Sequence, residues 1–259
     1  ILNDMTLLGV GAGNSTSGNT TTLGRIGTGY IYADWNGQIA YTTPNMNGFS
    51  ATVGVMQPWN VTQSGVLSAT SAGNTDEFGF QGQASYSWTG DFAGKVWAGF
   101  FTQEVTGMTD GAATPAALTS NQSDTATAYE AGVSATVMNI NLVAYGYSGD
   151  GVGTTGLLRD GYATDGESRD SDGYYAQATY VIPMGTKLGV SYGESKLDLA
   201  SGEAASALVK ENEMLTIGAY HPLTKHLNLV AEYSDVESKA HDGSSETSDI
   251  FTVGAILFF

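Results

Sequence analysis

Glu77-Phe78-Gly79-Phe80-Gln81-Gly82-Gln83-Ala84-Ser85-Tyr86-Ser87-Trp88 is the stretch that decides the fold class. Phe78, Phe80, Gly82, Ala84, Tyr86 and Trp88 fall on one side at a period of two, and Glu77, Gly79, Gln81, Gln83, Ser85 and Ser87 on the other. Successive side chains of an extended chain point to opposite faces, so this is a strand with one apolar and one wet side. Outward from it the pattern repeats. Thr127, Tyr129, Ala131, Val133, Ala135 and Val137 alternate with Glu130, Gly132, Ser134 and Thr136. Leu227, Leu229, Ala231 and Tyr233 alternate with Asn228, Val230, Glu232 and Ser234, and Phe251, Val253, Ala255, Leu257 and Phe259 share one side.

Composition agrees with an all-β chain. The 35 Gly, 14 Tyr, 9 Phe and 4 Trp among 259 residues suit strands and turns better than helices. Nine Lys plus Arg stand against 26 Asp plus Glu, a net charge of −17. Phosphate backbones need cations, so nucleic acid is excluded as a partner, and cations or cationic solutes are favoured. The absence of Cys removes disulfides, thiolate metal sites and a Cys nucleophile. No run approaches the roughly 20 apolar residues of a transmembrane helix, which leaves the membrane barrel, whose strands need only about 9–11 residues with alternate apolar positions.

The links separate a barrel from a sandwich. Strands are expected near 37–43, 48–57, 77–88, 94–103, 126–137, 139–148, 172–182, 187–196, 212–221, 226–236 and 248–259. Tight turns at 44–47, 89–92, near Asn139, at 184–186 and at 224–226 alternate with long polar links at 58–76, 104–125, 149–171, 197–211 and 237–247. Short periplasmic turns and long outer loops are the mark of an antiparallel transmembrane β-barrel. Single-chain bacterial barrels have even strand counts. Eleven strands therefore imply that further strands precede residue 1, consistent with a start that is neither Met nor a signal peptide.

Particular stretches resemble the trimeric general porins of Gram-negative bacteria. Ile1-Leu2-Asn3-Asp4-Met5-Thr6-Leu7-Leu8, then Arg25, then Gly37-Gln38-Ile39-Ala40-Tyr41-Thr42-Thr43-Pro44-Asn45-Met46-Asn47-Gly48-Phe49 is similar to that family's constriction loop and the hairpin after it. Gly218-Ala219-Tyr220-His221-Pro222-Leu223-Thr224-Lys225-His226, with Ala231-Glu232-Tyr233-Ser234, resembles the family's penultimate hairpin. The ending Gly254-Ala255-Ile256-Leu257-Phe258-Phe259 keeps the terminal aromatic but departs from the family's basic ending. The resemblance implies about sixteen strands, of which eleven lie here. It implies that residues 1–36 are part of the inward-folded constriction loop and its lead-in, and that residues 37–259 are barrel strands with short periplasmic turns and long outer loops. It further implies passive diffusion of ions and small hydrophilic solutes, an outer-membrane location and a homotrimer. The expected surroundings are the lipid bilayer, lipopolysaccharide and the barrel-assembly machinery, with Phe259 as the assembly signal.

Candidate site residues follow. Asp4 and Arg25 are the pair expected to face each other across a constriction and set a transverse field; an ordinary solvated pair is the plainer alternative. Glu77, Gln81, Gln83, Glu130 and Glu232 occupy wet faces and would line the lumen, with a preference for cations. Lys95 sits on a strand almost equally apolar on both faces. Asp160, Asp165, Glu167, Asp170 and Asp172 crowd one outer link. They read as a solvated acidic loop or, less simply, as a weak Ca²⁺ site built from oxygen ligands. Gly151-Val152-Gly153-Thr154-Thr155-Gly156 matches a dinucleotide-binding spacing without the strand–helix context that gives it meaning, and reads as a flexible loop. No cofactor is otherwise implied. Two rival functions are a scaffold or sheath for a partner, and a barrel hydrolase built on His241, Asp242, Ser244 and Ser245. A catalytic base needs a rigid third group to orient it, which neighbours on one Gly-Ser loop do not offer.

Overall fold

The computed structural model describes residues 37–59, 77–108, 122–154, 157–163 and 166–259. Eleven strands occur among them: β1 (Gln38–Thr42), β2 (Phe49–Met56), β3 (Gly79–Trp88), β4 (Phe92–Met108), β5 (Gln122–Val137), β6 (Ile140–Asp150), β7 (Asp170–Val181), β8 (Lys187–Leu197), β9 (Val209–Pro222), β10 (Leu227–Ala240) and β11 (Ser245–Leu257). Each pairs antiparallel with its neighbours in the chain, in the order β1 to β11 without a crossover. All eleven expected strands are present.

One face of the sheet carries nearly every exposed large apolar side chain. Phe80, Phe100, Tyr129, Tyr174, Tyr233 and Phe251 form an upper aromatic row on β3, β4, β5, β7, β10 and β11, each at least 40% exposed. Near the other rim Tyr86 stacks on Trp88 (6.3 Å), and Trp88 packs on Phe92 (6.0 Å). An outward apolar band between two aromatic rows is what lipid selects in a membrane barrel. The opposite face is the inner one. It alternates with the outer face residue by residue, as in β7, where Ser171, Gly173, Tyr175, Gln177 and Thr179 are buried between exposed or half-buried neighbours.

The short turns lie on the rim assigned to the periplasm. At the first, Asn47 (φ 53°) and Gly48 (φ 97°) adopt left-handed backbone, Gly48 N–H donates to Asn45 Oδ1 (2.9 Å), and a Cβ on Gly48 would collide with the Ser87 carbonyl. Glycine is required there by the close approach of β3.

At the outer rim the strands run longer than their apolar alternation. β4 continues to Met108, β5 starts at Gln122, and β9, β10 and β11 each extend three or four residues beyond the expected limits. Above the lipid the outward faces are largely polar, so the period-two signal fades while the hydrogen-bond ladder goes on. The expected long link at 237–247 is corrected by this effect. Lys239 pairs with Ser245, and only residues 241–244 turn, closed by Ala240 N–H to Ser244 O (2.8 Å) and by Asp242 Oδ1, which accepts from the Ser244 amide (2.9 Å) and hydroxyl (2.6 Å).

Candidate functional site: the inner wall

The wet side of β1 to β6 is tied laterally by side chains. Gln81 Nε2 donates to Gln38 Oε1 (2.7 Å), Gln83 Nε2 to Glu130 Oε1 (2.8 Å), and Tyr145 Oη to Glu130 Oε2 (2.9 Å). Tyr145 then stacks on Tyr175 of β7, with ring centroids 5.3 Å apart. Further round, Thr216 and Ser234 hydroxyls meet at 3.0 Å, and Tyr220 Oη donates to Glu232 Oε1 (2.6 Å) beneath the Lys187 ammonium, 4.6 Å from the Tyr220 ring. Gln81, Gln83, Glu130 and Glu232 thus stand on the inner face, while Glu77 is exposed just ahead of β3 at the outer rim. Lys95 also faces inward and lies 5.7 Å from the centroid of Trp97. The hydroxyl partners Tyr145 and Tyr220 were not singled out from sequence, although each falls on an inner position of its strand. Asp4 and Arg25 lie outside the described residues, and Phe259 is fully exposed beyond the end of β11.

The upper inner wall of β2, β4 and β5 is apolar instead. Met56, Phe101, Val105, Ala126 and Ala128 are buried there, and they pack against Val152, Leu158 and Tyr162 from the link between β6 and β7. That link turns inward. Gly151, Val152, Gly153 and Thr154 are all buried, which corrects the flexible-loop reading of the glycine motif. Gly151 and Gly153 (φ 73° at both) let the chain fold on itself, and a Cβ on Gly153 would collide with the Arg159 carbonyl. Leu158 holds φ 60° at no exposure, a costly conformation for a γ-branched residue that only surrounding packing sustains. Burial also pushes the Tyr162 phenol far above its ordinary pKa.

Arg169, 5% exposed, organises this link. Its Nη1 donates to the carbonyls of Asp160 (2.8 Å) and Tyr162 (2.9 Å), and its Nε and Nη2 form a fork onto Glu203 (2.8 and 2.5 Å) in the link between β8 and β9. The guanidinium holds the Glu203 carboxyl below the usual carboxylate range, and the Ala200 amide adds to the effect. Among the described residues, the acidic side chains of the link are not gathered at one place. Asp160 is buried beside Arg159 (3.9 Å), Glu167 is exposed, Asp170 and Asp172 stand on the outward face of β7, and Asp165 lies outside the described residues. The carboxylates that do converge, among the described residues, are Glu194, Glu211 and Glu213 on the outward side. There the Lys239 ammonium bonds both Glu211 (2.8 Å) and Glu213, which already balances much of their charge. On the β10–β11 turn, His241 Nε2 bonds the Leu197 carbonyl (2.8 Å) while Asp242 takes the Ser244 hydroxyl, so histidine and serine are held on different partners.

A neighbour-paired sheet with a lipid-facing apolar band and a hydrogen-bonded polar interior defines the wall of a bacterial outer-membrane β-barrel. The chain belongs to the Gram-negative porin family, whose family model matches residues 2–241. Comparison with curated proteins finds no match. Among solved structures it is similar to the outer-membrane channel DcaP of Acinetobacter baumannii, with a TM-score of 0.69 at 15% identity over 85% of this chain and 62% of that one. It is also similar to OprB of Pseudomonas putida (0.54, 12%, 85% and 57%) and to an anion-selective porin from Comamonas acidovorans (0.52, 14%, 85% and 57%). The chain spans about three fifths of the length of these structures.

Proposed function

We propose that this chain walls a water-filled passage for ions and small hydrophilic solutes, that it catalyses no reaction, and that the passage favours cations. The observation that carries the reading is the inner wall itself. Carboxylates of Glu130 and Glu232 stand on it and accept hydrogen bonds from the neutral donors Gln83, Tyr145 and Tyr220. One similar fold belongs to an anion-selective porin, so the fold does not choose the sign. The charge of −17 argues for cations, since a passage lined with one sign concentrates the other. The placing of His241 on a backbone carbonyl argues against a hydrolase. A homotrimer in contact with lipopolysaccharide, built by the barrel-assembly machinery, with Asp4 and Arg25 at a constriction, Phe259 as assembly signal and any Ca²⁺ confined to outer carboxylates, belongs to the same proposal. The test is the reversal potential of the protein in planar bilayers under a KCl gradient. A value on the cation side is expected; one on the anion side overturns the selectivity, and silent bilayers at saturating protein overturn the passage.

A further inference from the structure

The two ends of the outward surface differ. Above the upper aromatic row it is charged, with Asp172, Glu194, Lys196, Glu213, Glu237 and Lys239 on the adjacent strands β7 to β10. At the other end, past Tyr86, Trp88 and Phe92, the apolar surface does not stop where the strands stop. Met46 is 52% exposed in the turn after β1, Met138 90% in the turn after β5, Met184 71% in the turn after β7 and Leu223 54% in the turn after β9. Among residues 44–48, 89–91, 138–139, 182–186 and 223–226, only Asp91, Lys225 and His226 carry a titratable group. The turns themselves do not call for these side chains. Met138 holds φ 54°, a left-handed conformation whose ordinary occupants are Gly, Asn and Asp. The left-handed positions of the first and fourth turns are filled in that ordinary way, by Asn47, Gly48 and Gly185. Beside Met138, Val137 and Ile140 form the closing pair of the hairpin and are exposed on the lipid side, so the apolar tip continues a surface already present.

We propose that the short-turn rim is seated in the headgroup–acyl boundary of the periplasmic phospholipid leaflet, with Met46, Met138, Met184 and Leu223 as its anchors. The proposal rests on the outer-membrane placement of the sheet and is independent of what passes along its inner wall. The occupant is lipid because the apolar side chains are strung one to a turn along successive hairpins and run on from the lipid-facing band. A protein partner would meet them as one compact patch. Methionine is unbranched and adapts to irregular surroundings, which suits a fluid boundary, and turns nearly free of charge enter that boundary at little cost. The tips are also held in place. Met46 N–H donates to Phe49 O (2.8 Å), Gly185 N–H to Ile182 O (2.8 Å) and Leu227 N–H to Thr224 O (3.3 Å), so each turn keeps its anchor at the end of its hairpin.

The chain holds no Cys, so single cysteines can carry a fluorophore without background. Met138→Cys, Met184→Cys and Leu223→Cys are compared with Leu142→Cys in the apolar band and Thr247→Cys at the outer rim, each as the full chain in phosphatidylcholine vesicles. The quenchers are aqueous iodide and a phospholipid with a nitroxide near the top of its acyl chain. The turn probes are expected to be quenched several-fold more by the nitroxide lipid than the Thr247 probe, and several-fold less by iodide. A second measurement needs no substitution. Hydroxyl-radical oxidation of Met138 and Met184 in the unaltered chain is expected to run several-fold slower in vesicles than in the urea-unfolded chain. Turn probes that behave like the Thr247 probe, or methionines oxidised at the unfolded rate, overturn the anchors. Turn probes open to iodide in vesicles but shielded in isolated outer membranes give the rim to a protein partner and overturn the lipid assignment. A Leu142 probe that no lipid quenches overturns the membrane placement on which the anchors rest.

Discussion

The β6–β7 and β10–β11 links were alike on paper: both polar, both rich in Gly, Ser and Asp, and both expected as long outer loops. They have opposite fates. One folds inward as a packed, hydrogen-bonded body, and the other is zipped almost to its tip, leaving residues 241–244 to turn. The difference lies in four apolar residues. Val152, Leu157, Leu158 and Tyr162 sit in the first link, whereas residues 237–247 hold no large apolar side chain. At the outer rim, polar composition does not tell loop from strand. Apolar residues scattered among glycines indicate that a loop will return to the wall.

The comparison can be broken at its strongest point first. Arg169→Ala leaves the Glu203 carboxylate and two buried carbonyls without their donor. Losing one partner of a buried pair costs about 3–5 kcal/mol, and the loss should appear as faster amide exchange at 157–163. Unchanged exchange there would mean that the inward fold does not depend on the fork. Leu158→Ala empties a fully buried site against Phe101 and Val105, with an expected cost of about 2–5 kcal/mol, read in the same amides. Acid sharpens the contrast. Glu203 has its folded pKa depressed by Arg169, so its stabilisation is complete above the ordinary Glu range and is lost as pH falls through the depressed value. Protection at 157–163 should stay flat from neutral pH down to the ordinary Glu range and drop only below it. Loss at neutral to mildly acid pH would contradict the sign. The smallest effect belongs to the turn. His241→Ala gives up one hydrogen bond to Leu197, about 0.5–1.5 kcal/mol. A two-residue Gly-Ser insertion after Asp242 should cost about 0.6 kcal/mol or less, measured by urea unfolding in detergent.

Much of the sheet was legible because lipid imposes a rule on every second residue. The face on which Gln81, Gln83, Glu130 and Glu232 stand follows from that rule. Their partners Tyr145 and Tyr220 do not, because which hydroxyl reaches which carboxylate depends on register, and register is set by turns and pairing across strands. The outer extensions were hidden for want of alternation. The inward packing of the β6–β7 link left one trace in the sequence, the two-sided apolarity of the strand carrying Lys95. Phe101 and Val105 make that inner face apolar because a loop some fifty residues downstream covers it. A strand apolar on both faces is thus a sign of burial on both, here by lipid on one side and by the chain itself on the other.

The strand order has a consequence for time. Among the described residues every strand pairs with its neighbours in the chain, so the sheet from β1 to β11 can grow by one hairpin after another from either end. The 151–169 link is under a different constraint. Its apolar contacts lie upstream, on β2, β4 and β5, while its charged anchor Glu203 lies downstream of β8. Whichever end starts, both sets must be in place before the link can seat, so it closes among the last events of folding. A sheet caught before that moment would have its strands paired while Met56, Phe101 and Val105 still stood uncovered.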